Sequence, residues 1–316
     1  MINVNCNYCG RDDFELVNQG ADLLLDRPGE FRLVRCRHCG LIYQNPRPTL
    51  AELPQHYPDD YQPYQRTLQK DTSVVQRLAR SHEMNRRFKH IQHYLPQPGK
   101  LLEVGSSTGQ FLIDMRRRGW EVTGVEISAY AAEYARENYA LDVTTGTLES
   151  ADLPSNQFDL VTLWDVFEHV LDPTSTLAEI RRILKPGGYF IAGVPNPACI
   201  EARIFGEYWV GWDRPRHINL FTPTVFENYL QTVGLELTAI KSFNGRLGVT
   251  LMSIEFWARA HQIPPEKWQR WTKLAYSPPL RLLTWPLYRI AGAFNQTSIM
   301  TVFARLPAEQ DAAACD

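Results

Sequence analysis

Leu101-Leu102-Glu103-Val104-Gly105-Ser106-Ser107-Thr108-Gly109-Gln110-Phe111-Leu112 reads as an apolar strand, a glycine-bearing turn and a helix start, with an acid just before the first glycine. Such a unit brings backbone N–H groups to the carboxyl edge of a sheet, where a ligand can approach them. The chain around it alternates in the same way. Strand patterns fall at Lys100–Val104, Glu121–Val125, Asp142–Thr145, Phe158–Trp164 and Tyr189–Val194, with helical patterns at about 109–118, 129–139 and 174–184 between them. Thr222-Pro223 predicts a further helix start, with Pro at its first position. Leu237–Phe243 and Ile299–Ala304 supply two more strand patterns. The alternation predicts an α/β fold: a mostly parallel sheet of seven strands, covered by helices on both faces.

The bulk numbers exclude several classes. The chain has 316 residues, 44% of them hydrophobic and 22% charged, which is ordinary for a globular protein with one large domain and a small one. A formal net charge of −2 gives no global field for nucleic acid or anionic membrane. No apolar run is long enough to span a bilayer, and Met1-Ile2-Asn3-Val4-Asn5-Cys6 carries no signal-peptide pattern, so a cytoplasmic location is expected.

Cys6-Asn7-Tyr8-Cys9-Gly10 and Cys36-Arg37-His38-Cys39-Gly40 are one knuckle written twice. Two thiolates two residues apart face one ion, and the following Gly permits a left-handed turn. Cys6, Cys9, Cys36 and Cys39 therefore predict a tetrahedral Zn²⁺ ribbon over residues 1–48. A closed sulfur site leaves no position for catalysis, so the structural or substrate-shaping role outweighs one in binding a partner. Residues 49–98 read as a Pro-rich linker carrying Tyr57, Tyr61 and Tyr64, then a capping helix rich in cations (Arg77, Arg80, Arg86, Arg87, Lys89). The tyrosines suit docking of the ribbon, or a hydroxyl reaching the substrate. The cations suit a solvated face more often than a phosphorylated substrate. Residues 99–307 form the α/β domain, with a helical insertion at 245–297 and a disordered tail at 308–316. Within the insertion, residues 280–294 are apolar with Arg281 and Arg289. A cap or oligomer contact is preferred there over peripheral membrane contact, because Pro286 should break the helix.

The turn distinguishes two nucleotide folds. A dinucleotide fingerprint needs G-x-G-x-x-G, whereas the corresponding positions here are Gly105, Ser107 and Gln110. Glu103-x-Gly105-x-x-x-Gly109 is a different spacing, and Glu126 ends the second strand where an acid can hold ribose hydroxyls. With these residues the chain from about Pro98 to Gly234 resembles the class I S-adenosylmethionine-dependent methyltransferases, especially the group that includes ubiquinone-biosynthesis O-methyltransferases. Leu102–Gly109 resembles their first motif and Gly124-Val125-Glu126-Ile127-Ser128 their second. Phe158–Val161 with Asp165–Val170 resembles the fourth strand and its loop, and Leu184-Lys185-Pro186-Gly187-Gly188 the turn before the fifth. The ribbon and linker resemble the zinc-binding domain that precedes some sugar C-methyltransferases.

The resemblance implies a Rossmann-like sheet and a cofactor, S-adenosylmethionine, beside Zn²⁺. It implies that Gly105, Ser107 and Gly109 shape the turn at the methionine moiety and that Glu103 holds its amino group. Glu126 would accept from the ribose hydroxyls, Ile127 would lie on adenine, Thr147 and Leu148 would border its edge, and Asp165 would line the pocket. Ser107 stands where many relatives have Gly, and Thr147 where many have Asp. Methyl transfer also needs an aligned nucleophile and often a base, for which His217 and His169 are the candidates. Asp165-x-x-Glu168-His169, completed by His217, also resembles a metal set of some relatives, although an ordinary loop is the preferred reading. The expected activity is methyl transfer to a small molecule: a nucleotide-linked sugar, a polyketide or a cell-surface precursor. The alternatives are an RNA or protein methyltransferase guided by the ribbon, and a non-catalytic S-adenosylmethionine-binding module. Oligomeric state is not legible.

Overall fold

The computed structural model describes residues 1–57, 74–243, 246–275 and 277–308. Tyr61, Tyr64, the side chains of Arg77 and Arg80, and residues 309–316 of the predicted tail lie outside the described part. The strands are β1 (Phe14–Gly20), β2 (Phe31–Cys36), β3 (Ile42–Gln44), β4 (Lys100–Val104), β5 (Glu121–Glu126), β6 (Asp142–Thr145), β7 (Phe158–Trp164), β8 (Leu184–Pro195), β9 (Asn219–Leu220), β10 (Glu236–Lys241) and β11 (Ile299–Arg305). The helices are α1 (Val74–Tyr94), α2 (Gln110–Arg117), α3 (Ala129–Tyr139), α4 (Pro173–Ile183), α5 (Ile200–Phe205), α6 (Pro223–Thr232), α7 (Arg246–Ala260), α8 (Pro265–Ala275) and α9 (Pro278–Ala293).

Seven strands form the main sheet in the order β10-β11-β8-β7-β4-β5-β6. β6, β5, β4, β7 and β8 run parallel, in registers such as Leu102↔Thr123 and Leu102↔Val161. β11 is antiparallel to both β8 and β10. The carboxyl ends of β4, β5, β7, β8 and β10 therefore share one edge. The central strands are buried on both faces, which is why they read as continuous apolar runs rather than as alternation. Helix starts follow their local chemistry. Ser128 caps α3, Asp172 caps α4 with Pro173 behind it, and Thr222 caps α6 with Pro223 behind it.

The second sheet, β1-β2-β3-β9, takes its last strand from Asn219–Leu220, far along the chain. The two knuckles pack against α6. Cys6, Cys36, Leu41 and Tyr43 belong to the same buried cluster as Phe221, Val225 and Tyr229, and Tyr8 lies on Tyr229 at 4.5 Å between ring centres. The Tyr229 hydroxyl donates to Asn7 Oδ1 at 2.7 Å.

Two expectations from sequence need correction. α9 continues through Pro286 instead of breaking there. Pro286 is exposed, so the carbonyl it leaves without an N–H partner can meet water. Of the two readings preferred for residues 280–294, the cap is not met: Leu282, Leu283, Trp285, Leu287 and Ile290 are all exposed, while the oligomer contact stays an expectation. The Tyr288 hydroxyl lies 2.9 Å from Thr250 Oγ1, and Thr284 donates to Leu280 O within the helix. No described helix is long and apolar enough to cross a membrane.

Candidate functional site

The turn after β4 is built so that only glycine fits at its two ends. Gly105 has φ +72°, and a Cβ there would sit 2.3 Å from Val166 Cγ2. Gly109 has φ +80°, and a Cβ there would sit 2.2 Å from Leu141 Cδ1. Ser107 takes a positive φ of 49° between them, so the Gly common at this position in relatives is replaced without losing the conformation. Its N–H donates to Glu126 Oε2 at 2.7 Å, and Ser128 N–H donates to Glu126 Oε1 at 2.8 Å. The acid at the end of β5 is thus aimed by two backbone groups at the edge of the turn. Burial pushes its carboxyl above the usual range, while the N–H groups of Ser128 and Ser107 work in the opposite sense.

Glu103 is only 5% exposed, and its Oε2 has no hydrogen-bond partner. Burial pushes its carboxyl well up, against the attraction of Arg87. Ser106 Oγ and Thr108 Oγ1, on the same turn, are also buried without partners. Three unsatisfied polar atoms at one turn are costly unless a ligand completes them. Together with the acid at Glu126, they fit the amino group and ribose of the implied cofactor. Ile127 is 59% exposed beyond Glu126, which leaves an apolar surface open beside the acid. Thr147 is held locally, its N–H donating to Ser150 Oγ at 2.9 Å. Leu148 is buried in the main core. Asp165 has φ +55°, lies exposed at the end of β7, and donates its N–H to Gly193 O at 2.9 Å.

Beside this turn the structure brings His169 and His217 together, with ring centres 4.8 Å apart. Each imidazole has Nδ1 2.8 Å from a backbone carbonyl, that of Arg216 for His169 and that of Gly211 for His217. A carbonyl only accepts, so Nδ1 carries the proton in both rings, and both Nε2 lone pairs are left over. Burial keeps the rings neutral, lowering His169 to about 3 and lowering His217 as well. His217 Nε2 is 3.8 Å from Glu168 Oε1 and 3.8 Å from Asp213 Oδ2. Both carboxyl oxygens of Glu168 are buried without a partner. Glu168, His169 and His217 offer ligand atoms within 4.8 Å of one another, and this donor set fits a divalent cation. Asp165, the first acid of the sequence motif, is not part of the group. The Tyr57 hydroxyl lies 2.9 Å from His169 Nδ1, so this tyrosine reaches the site through the imidazole.

The four cysteines also converge. Cys6 Sγ lies 3.5 Å from Cys39 Sγ, Cys9 Sγ lies 3.5 Å from Cys36 Sγ, and all four sulfurs lie within 4.8 Å of one another. Burial raises the Cys6 thiol to about 11. At Cys36 burial also raises it, but the N–H groups of Cys39 and His38 prevail and the thiol falls to about 7.

Three contributors were not singled out from sequence. Arg87 stacks over Trp164 at 4.3 Å and faces Glu103, although it lay in a run read as a solvated face. Asp213 and Asp22 flank Arg216. Its guanidinium donates to Asp22 at 2.7 and 2.8 Å and to Asp213 at 2.6 Å, with Arg216 and Asp22 fully buried. Trp209 and Trp212 are buried with Leu33, Ile42 and Leu220. The segment at 206–218 thus locks the small sheet to the site rather than covering it.

A family model described as a methyltransferase domain matches residues 65–240. A ubiquinone biosynthesis O-methyltransferase of Albidiferax ferrireducens is 28% identical over 172 residues, 49% of this chain and 68% of that protein. One of Alkalilimnicola ehrlichii is 36% identical over 104 residues, 31% of this chain and 42% of that protein. Among solved structures, a geranyl diphosphate C-methyltransferase from Streptomyces coelicolor is similar with a TM-score of 0.46 and 16% identity, over 70% of this chain and 80% of that one. This last likeness is too loose to bear on chemistry.

Proposed function

The chain belongs to the methyltransferase family whose domain spans residues 65–240, and from that premise we propose how this S-adenosylmethionine-dependent enzyme divides its work. The observation that carries the reading is the set of unsatisfied buried atoms at Glu103, Ser106 and Thr108, beside a Glu126 carboxylate aimed by two N–H groups. Glu103 would hold the cofactor's amino group and Glu126 its ribose. Ile127, Thr147 and Leu148 would border adenine, and Asp165 would line the pocket. Bound there, the cofactor supplies an activated methyl group. Gly105 and Gly109 let the backbone approach it.

The acceptor is a small molecule: a nucleotide-linked sugar, a polyketide or a cell-surface precursor. The relatives' names, ubiquinone biosynthesis O-methyltransferases, also support a small-molecule acceptor. Glu168, His169 and His217 would hold a divalent cation that polarises an acceptor hydroxyl. The chain's own contribution there is the fixed tautomer: Gly211 O and Arg216 O keep the Nδ1 protons, which leaves the Nε2 lone pairs free, that of His217 lying 3.8 Å from Glu168 Oε1. Cys6, Cys9, Cys36 and Cys39 would hold a separate, structural Zn²⁺. Their packing against α6 supports a fixed domain rather than a free nucleic-acid reader. The small domain at residues 1–48 would then serve to position the segment at 206–218.

His217→Ala should lower kcat on a competent acceptor at least 100-fold and reduce bound metal by one ion per chain, with cofactor affinity unchanged. Metal analysis paired with turnover checks this. Full turnover in His217→Ala would remove the cluster from catalysis, and lost turnover with unchanged metal would make His217 the base instead.

A further inference from the structure

An open cleft of about 800 Å³ lies between α1, the end of β10, the start of α7 and α9. Its size suits a small amphiphilic ligand. Four permanent cations line it: Arg86, Lys241, Arg281 and Arg289. Among the described residues no carboxylate lines it, and none of the four is ion-paired. In a chain with a formal net charge of −2, that is a local separation of charge rather than an average of composition. The cations work against one another. Burial lowers the charge-holding ability of Arg86, Glu83 outside the cleft lining acts in the opposite sense and Arg289 lowers it again, and His90 is lowered to about 4 by burial, Lys241 and Arg86. Clustered like charges of this kind are relieved by a bound anion.

The apolar side of the cleft is also defined. Trp285 and Tyr288 line it, and the Arg289 guanidinium lies 5.6 Å from the Trp285 ring centre. The cleft opens at the carboxyl edge of the sheet, beyond β10, on the same edge as the Gly105 turn. Arg86 donates to Phe243 O, and its neighbour Arg87 stacks on Trp164 at the end of β7. Phe243, Trp164 and Phe111 share one buried cluster. Two consecutive arginines of α1 therefore serve the two sides of one wall, the cofactor acids on one and the cleft on the other.

We propose that this cleft binds the phosphate or diphosphate group of an amphiphilic acceptor, with the acceptor's apolar part against Trp285 and Tyr288. The inference rests on the methyltransferase reading and narrows its substrate class to phosphorylated amphiphiles. Arg281 and Arg289 are exposed, so they can reach a ligand at no cost to the core.

The test is calorimetry on the full chain saturated with S-adenosylhomocysteine, titrated with inorganic pyrophosphate and with decyl phosphate. Both probes should bind, decyl phosphate about tenfold or more tighter, since its chain adds apolar burial. Arg281→Gln with Arg289→Gln should weaken both by about tenfold or more, with S-adenosylhomocysteine affinity unchanged. Absence of binding to either probe, or equal binding by the double variant, overturns the inference. Failure of wild-type protein to bind S-adenosylhomocysteine overturns the methyltransferase reading instead. Co-sedimentation with phosphatidylglycerol vesicles but not phosphatidylcholine vesicles, lost in the double variant, assigns the phosphate to a bilayer lipid. Retained decyl phosphate binding without sedimentation assigns it to a ligand from solution.

Discussion

Arg216→Met should destabilise the chain by about 3–5 kcal/mol, read as a lowered midpoint in urea. The side chain is fully buried between Asp22 and Asp213, and both carboxylates receive short charge-assisted hydrogen bonds from it. Removing the guanidinium leaves two acids without their cation in a dry place, which costs far more than the pair contributes when intact. Asp22→Asn should cost less, because the amide retains one acceptor and adds no unpaired charge. The effect should also reach the site. The Arg216 carbonyl fixes His169, and Asp213 lies beside His217 Nε2, so turnover should fall in folded Arg216→Met protein as well. An unchanged midpoint would show that the small sheet is not locked through this residue.

Cys36→Ser, or stripping with a strong chelator, should release one zinc per chain and unfold the small sheet. Structural zinc in isolated fingers is worth on the order of 10 kcal/mol, and the knuckles here supply the turns that hold β2 and β3 in line. Because Cys6, Cys36, Leu41 and Tyr43 are buried against α6, the loss should propagate to Phe221 and Tyr229 rather than stay local. Near-ultraviolet circular dichroism of the tyrosines would report it. Zinc-free protein with an unaltered spectrum would mean that the four thiols pack without an ion. The same ligands make the site acid-sensitive. A zinc ion there would displace thiol protons, and burial holds the Cys6 thiol up at about 11, so affinity should fall as pH falls.

The parts of this molecule that were legible in sequence are those whose chemistry is local. The Gly105–Gly109 spacing works because both residues need positive φ within one turn, and Glu126 is held at its strand end by the N–H of Ser128, two residues on. The cysteine knuckles and the Thr222-Pro223 helix start are equally self-contained. The illegible parts depend on distant partners. Arg214 and Arg216 carry no local sign of burial, because Asn18 and Asp22, on the far end of the chain, receive their hydrogen bonds. Asn219–Leu220 is too short to carry a strand period, and only β3 makes it one. Trp209 and Trp212 cannot be placed from sequence, since aromatic composition does not distinguish an open pocket from a filled one. Arg87 was hidden by its own neighbours: a run of arginines on a helix gives no sign that one of them turns inward onto Trp164.

The central claim is that the turn at Gly105 and the acid at Glu126 form the S-adenosylmethionine site. Calorimetry of S-adenosylmethionine binding to wild type and to Glu126→Ala tests it most directly. The account predicts one site per chain in wild type and affinity at least 100-fold weaker in the variant, since two charge-assisted hydrogen bonds to the ribose are lost together. Equal affinity in the two proteins, or no binding in either, would contradict it.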